Sequence, residues 1–165
     1  MTDTNAQVYA VYLTAAATEA GVARPAGYVT NRVVWDGTSA WTPGSGSAIV
    51  ADPDGRYPIG GTYTPSTGYA LAGASSATAG TALPLTLTPD HDGPATKTTV
   101  TLSDGGAGGT FSASTVTFGA GVNTAQGVTY TPKAAGTVTI SATNTGGLTN
   151  PASLALTVSA AAATS

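Results

Sequence analysis

From Leu83 to Ser159 the chain is a succession of short runs in which Thr or Ser alternates with apolar residues: LPLTLT, TTVTLS, STVTF, GVTYT, GTVTISAT and SLALTVS. Successive side chains of a strand project to opposite faces, so this period of two lets Thr meet water while Val, Leu, Ile, Phe or Tyr fills a core. Each run is closed by Gly, Pro, Asn or Asp, the residues that tight turns demand. Short strands separated by turn signals at this spacing predict an all-β fold, here a Greek-key β-sandwich. Its predicted inward set is Leu83, Leu85, Leu87, Val100, Leu102, Phe111, Val116, Phe118, Val128, Tyr130, Val138, Ile140, Leu154, Leu156 and Val158. Pro84 is expected near a strand start on an edge, where its missing N–H is tolerated.

The first part of the chain reads as a smaller β domain. QVYAVYL (7–13), GYVTNRVVW (27–35) and SAIVAD (47–52) are strand candidates, rich in β-branched and aromatic residues. Between the first two, TAAATEAGVARPAG is expected to be a loop, because Gly21 and Pro25 stop any helical turn at Ala15–Ala20. Asp36-Gly37 after an apolar run is a hairpin signal, and Asp52-Pro53-Asp54-Gly55 a turn signal. The small-residue stretch from Thr64 to Gly80 holds the predicted hinge. The boundary is placed near residue 70, giving a domain over 1–70 and a sandwich over 71–165 with a short Ala-rich tail at 160–165.

Charge narrows the function classes. The chain has five Lys and Arg and eight Asp and Glu among 165 residues, for a net charge of -3, and the five cations Arg24, Arg32, Arg56, Lys97 and Lys133 are scattered. Phosphate backbones and anionic lipid are bound by clustered cations, so neither nucleic acid nor membrane is an expected partner. No cysteine is present, which removes disulfides and thiolate metal sites. QVYAVYL is too short and too polar at its flanks for a signal peptide or a membrane span, so synthesis and assembly in a cytoplasm are expected.

The candidate chemical motifs each read as structure. His91 lies in PDHDG and is the only histidine, whereas a metal needs three or four convergent ligands. DPDG at 52–55 lacks the remaining ligands and closing Glu of a calcium loop. SDGGAGGT at 103–110 runs into a strand rather than a helix, so Asp104, Gly105, Gly106, Gly108 and Gly109 are expected to form an exposed, flexible loop and not a phosphate cradle. The carboxylates Asp36, Asp52, Asp54 and Asp104 sit beside Gly or Pro in turns, where a short acid caps its own backbone. No catalytic residue, metal or cofactor is therefore expected. Trp35, Trp41, Tyr28, Tyr57 and Tyr63 concentrate in the first domain. They are expected to build its core, with any ring left exposed serving as a docking anchor or a platform for glycan stacking.

Two resemblances extend this reading. GAGVNTAQGVTYTPKAAGTVTISATNTGGLTNPASLALTVSA resembles the late strands of bacterial immunoglobulin-like modules, with Tyr130 ending one strand, Ala134-Ala135-Gly136 turning the corner, and Val138, Ile140 and Ala142 lining the next. VTNRVVWDGTSAWTPGSGSAIVADPDGRYPIGGTYTP resembles a segment of small phage tail and accessory proteins. Val33, Val34, Trp35, Asp36, Gly37, Trp41, Pro43, Val50, Gly60, Gly61 and Tyr63 carry that similarity, and Gly44 stands where a second Pro is frequent. The combination implies a noncatalytic bacteriophage virion accessory protein: a capsid decoration protein, or alternatively a tail, collar or fibre protein, or a carbohydrate- or host-surface-binding module. The implied partners are the major capsid or tail protein of the same particle, further copies of the chain in a homo-oligomer or symmetric array, and host-surface glycan. The implied location is the virion.

Overall fold

The computed structural model describes residues 6–162; residues 163–165 of the expected tail lie outside them. The described residues form fourteen strands and no helix, an all-β protein. The chain divides into two units between Pro65 and Ser66, inside the predicted hinge stretch and a few residues before the boundary placed near residue 70. Ser66–Ala70 belongs to the second unit because it is fastened there. The Ser66 N–H donates to Gly93 C=O at 2.9 Å, and Asp90 accepts the Thr67 N–H at 2.8 Å and its hydroxyl at 3.0 Å.

In the first unit β1 (Gln7–Leu13) is the middle of a three-stranded antiparallel sheet, flanked by β4 (Val29–Trp35) and β5 (Ser47–Ala51). Ala10, Val11, Tyr12 and Leu13 are all buried in succession, so both faces of the central strand are covered at that end. Tyr63 is fully enclosed between Tyr12 and Tyr57, with ring centroids 4.8 Å and 5.0 Å away in edge-on geometry, the arrangement aromatic quadrupoles prefer.

Two local expectations are corrected here. The segment read as a loop contains β2 (Ala17–Glu19) and β3 (Val22–Arg24), an exposed hairpin closed by Ala20 and Gly21 at φ 47° and 80°. Paired positive φ values are what a two-residue turn between twisted strands requires. Asp36-Gly37, by contrast, does not close a hairpin, since β1 lies between β4 and β5. The Asp36 carboxylate takes the N–H groups of Thr38 and Ser39 at 2.8 Å and 2.7 Å together with the Ser39 hydroxyl. That local winding opens a longer connection, residues 36–46.

The second unit packs a four-stranded sheet against a five-stranded one. The first runs in the order β10 (Thr110–Phe111), β12 (Gln126–Thr131), β8 (Leu83–Pro89), β6 (Tyr69–Gly73). The second runs β11 (Thr115–Phe118), β9 (Thr98–Ser103), β13 (Gly136–Asn144), β14 (Leu154–Ser159), β7 (Ser76–Thr78), with β7 parallel to β14. β8 alternates buried and exposed residue by residue along its whole length. Side chains from both sheets, Leu85, Leu87, Val128 and Tyr130 from one and Val100, Leu102, Ile140 and Leu156 from the other, share one core. Each such burial contributes roughly 1.5–3 kcal/mol, and packing carries the fold without disulfides.

Three members of the predicted inward set, Phe111, Val116 and Leu154, are only partly buried. Phe111 and Val116 stand on edge strands and Leu154 opens its strand. Tyr69 joins the core. Pro84 lies in an internal strand, yet its missing donor falls where nothing needs it. Its partner Thr129 exchanges backbone and side-chain hydrogen bonds with Ser112, away from β8. The β6 ladder has already ended at Gly73 opposite Leu85, so the Pro84 ring faces a local edge.

Candidate functional site

The five aromatic residues singled out by the sequence separate into two groups. Tyr57 and Tyr63 are buried, 4% and 0% exposed; they make the core of the first unit and are not available for docking. Tyr28 is half-buried under the Arg24 guanidinium, which sits 4.3 Å above its ring, a cation–π contact. Trp35 is also half-buried, and Trp41 is 37% exposed.

Trp35 and Trp41 form a tier with a residue the sequence reading did not single out. Ring centroids are 5.6 Å apart for Tyr9 and Trp35 and 5.9 Å apart for Trp35 and Trp41. The β1–β4 register sets Gln7 opposite Trp35 and Val8 opposite Val34, so Tyr9 lies diagonally across from Trp35 on one face. Only knowledge of that non-local pairing could have drawn Tyr9 into the set.

The loop beyond β4 fixes this tier in place. The Trp35 indole N–H donates to Ser39 C=O at 3.0 Å, and the Gln7 amide donates to the Tyr9 hydroxyl at 2.6 Å. Asp36 is held well below the usual carboxylate range by the Ser39 hydroxyl first, then by the backbone N–H groups of Ser39 and Thr38. Its charge is thus committed to holding the loop. Val34, the residue before Trp35 on the strand, projects from the opposite face of the sheet and is 72% exposed. Chemically, the tier offers ring faces and edges for contact, with the Tyr9 hydroxyl engaged by the Gln7 amide.

The glycine loop at 103–110 is an ordered turn instead of the expected flexible one. Gly105, Gly106 and Gly108 are exposed, while Asp104 and Gly109 are half-buried. Asp104 accepts the Gly106 N–H at 3.0 Å, the Gly109 N–H at 2.8 Å and the Tyr130 hydroxyl at 3.1 Å. Partial burial pushes Asp104 up, but the Gly109 N–H, the Tyr130 hydroxyl and the Gly106 N–H outweigh it and lower its pKa. Tyr130 is pushed up to about 12 by burial and then by the Asp104 charge. These loop amides already serve an internal carboxylate, so they are not free to cradle a phosphate.

An open cleft of about 510 Å³ lies at one end of the second unit, lined by Gly68, Tyr69, Pro89, Asp90, Thr149 and Asn150 among others. Its one charged group, Asp90, binds Thr67 and receives His91 Nδ1 at 3.2 Å. Burial raises the Asp90 pKa, and the hydrogen bonds from His91, Gly68 and Thr67 more than reverse that. His91 stands in the turn after β8 at φ 50°, its C=O taken by the Asn123 amide at 2.9 Å.

Asp52, the other acid in a turn signal, is 1% exposed and forms an ion pair with Arg32 at 2.8 Å. It also accepts the Arg56 N–H at 2.6 Å and the Tyr57 N–H at 3.2 Å. Among the described residues no three His, Asp or Glu side chains converge on a point that could hold a metal ion. No protein-family model and no curated protein matches the chain.

Proposed function

We propose that this chain is a noncatalytic structural protein of a bacteriophage virion: a capsid decoration protein that docks on the particle through its first unit and displays an immunoglobulin-like sandwich. The observation that carries the reading is the half-exposed Tyr9–Trp35–Trp41 tier. It is built on the same residues, Trp35, Asp36, Gly37 and Trp41, through which the segment resembles small phage accessory proteins. Rigid aromatic anchors lose little conformational entropy on contact and dominate many interfaces. Repetition over a symmetric shell multiplies a modest single contact into firm attachment.

The strand order of the second unit supports the immunoglobulin-like part. β6, β8, β12 and β10 correspond to the A, B, E and D strands of such domains, and β9, β13 and β14 to C, F and G. The acids Asp36, Asp52, Asp90 and Asp104 each fasten neighbouring chain, which supports a structural role over catalysis. The test is a protein inventory of purified particles of the encoding phage, joined to a cryo-EM map. The polypeptide should be present in symmetric copies on the capsid surface; its absence from intact particles overturns the proposal.

A further inference from the structure

The two edges of the β4-β1-β5 sheet are built differently. In an antiparallel ladder, alternate residues turn N–H and C=O to the same side. Asp52 N–H donates to Val8 C=O and Thr14 N–H to Gly46 C=O, both at 2.9 Å. With the β1–β5 register, this turns Ala48 and Val50 toward β1 and leaves Ser47, Ile49 and Ala51 with their N–H and C=O directed away from it. The Ser47 N–H is taken locally by Gly44 C=O at 3.0 Å, so that a second strand could use the Ile49 and Ala51 N–H groups and the Ser47 C=O. Among the described residues β5 has no second neighbour in its sheet. Ser47–Ala51 carries no charge and no proline, and its pairing with β1 is regular throughout.

Natural edges are protected against strand pairing by charges, prolines, bulges or covering segments, and β4 has three such devices. The register breaks between Val11 and Tyr12 opposite it. Gly60 and Gly61 bond to Val29 at 2.9 Å each. Arg32, whose N–H faces outward, is charged, and that N–H is taken by Asn31 Oδ1 at 2.8 Å. The sheet is thus protected along one edge and, over Ile49 and Ala51, open along the other.

We infer that β5 pairs with β5 of a second copy of this chain, antiparallel about a twofold axis at Ile49, joining three strands from each copy into one sheet. The occupant follows from self-complementarity. With the axis at Ile49, that residue faces its own mate, Ser47 faces Ala51, Ala48 faces Val50, and Asp52 faces Gly46. No like charges meet, because the strand is uncharged and the Asp52 side chain is sealed against Arg32, 0% exposed. A twofold pair of this kind is isologous and closed, so it stops at the dimer. The inference does not rest on the virion reading, since it concerns the isolated chain.

Sedimentation equilibrium of the full chain, with variants, tests it. The wild type should sediment at twice the monomer mass. Ala51→Pro removes an outward N–H without touching the β1 ladder, and Ile49→Lys sets two charges face to face on the axis; each should weaken the dimer at least about tenfold. Val34→Lys on β4 should leave it unchanged. Because the chain has no cysteine, Ile49→Cys gives a single thiol that a short bis-maleimide should cross-link to its mate in the dimer, while Val34→Cys should not cross-link. The Ile49→Cys readout also decides the matter should the first two variants unfold by circular dichroism. A wild type that stays monomeric, a dimer that survives Ala51→Pro in a folded protein, or failure of Ile49→Cys to cross-link overturns the inference.

Discussion

The Tyr130 hydroxyl donates to Asp104 Oδ2 at 3.1 Å from within the sandwich core, tying the glycine loop to β12. The ring lies against Gly109, where any Cβ would overlap the hydroxyl and Cζ. Tyr130→Phe keeps the ring and removes one of the three hydrogen bonds to Asp104, so it should cost about 1 kcal/mol. Gly109→Ala forces ring or loop to move and should cost about 1–3 kcal/mol. Denaturant unfolding followed by circular dichroism measures both, and a Gly109→Ala variant as stable as the wild type would refute the contact.

The same pair sets the pH response of the second unit. Tyr130 titrates higher in the fold, about 12 against 10.0. Its contribution is therefore complete below pH 10 and is lost as pH rises toward 12, by roughly 3 kcal/mol at most. Asp90 and Asp104 are shifted the other way, below 3.8. Their contribution is present above that value and is lost as pH falls beneath it. Thermal melts across pH should show both limbs, and Tyr130→Phe should reduce the alkaline one, to which buried Tyr69 also contributes, while weakening the acid one through the lost hydrogen bond to Asp104.

In the first unit Asp52 gathers Arg32 and the N–H groups of Arg56 and Tyr57 around one buried carboxylate. Asp52→Ala strands those donors and should destabilise the unit by about 2–4 kcal/mol. Both tryptophans of the chain, Trp35 and Trp41, lie in this unit, so fluorescence reports its unfolding separately. The fluorescence transition should fall in Asp52→Ala while the second unit, with its own core, keeps its transition by circular dichroism.

What the sequence disclosed and what it hid follow one physical division. Leu83, Leu85 and Leu87 announce their own burial because the period of two is local, and the strands of the sandwich are legible one by one. Asp36-Gly37 misleads because a hairpin signal is also local, whereas the position of β1 between β4 and β5 is a non-local outcome. Arg32 and Asp52 are twenty residues apart, and only the shared partner β1 brings their strands onto one sheet. Asp104 reads correctly as a turn acid, but its grip on Gly109 and Tyr130 depends on β12 passing underneath. The aromatic residues of the first unit stand out in the sequence, but that Tyr9 stacks with Trp35 and Trp41 while Tyr57 and Tyr63 are buried depends on packing that composition does not encode.

If the aromatic tier is the docking surface, its removal should separate binding from folding. Trp41 is partly exposed at the end of the tier, packed against Trp35, so Trp41→Ala should lower occupancy on stripped particles about tenfold or more while moving the melting temperature little. Rebinding of the wild type should change little as salt is raised, because an apolar contact is not screened. A steep loss of occupancy at moderate salt would assign attachment to the few charges instead. Soluble glycan displacing the wild type from particles would move the tier to the host-surface reading.

The β2–β3 hairpin offers a stabilising change. Ala20 holds φ 47° at its turn, a left-handed conformation that costs a residue with a Cβ roughly 1–2 kcal/mol. Its side chain is exposed, so no packing compensates. Asn tolerates this region because its short amide can bond to nearby backbone, and Asn-Gly is the preferred pair for such a turn. Ala20→Asn should therefore stabilise the first unit by about 0.5–1 kcal/mol, raising its fluorescence-detected melting temperature by a few degrees. Ala20→Val, with a branched Cβ in the same conformation, should lower it. Equal melting temperatures for the three proteins would mean that the hairpin is open in solution and that its strain does not enter the folded state.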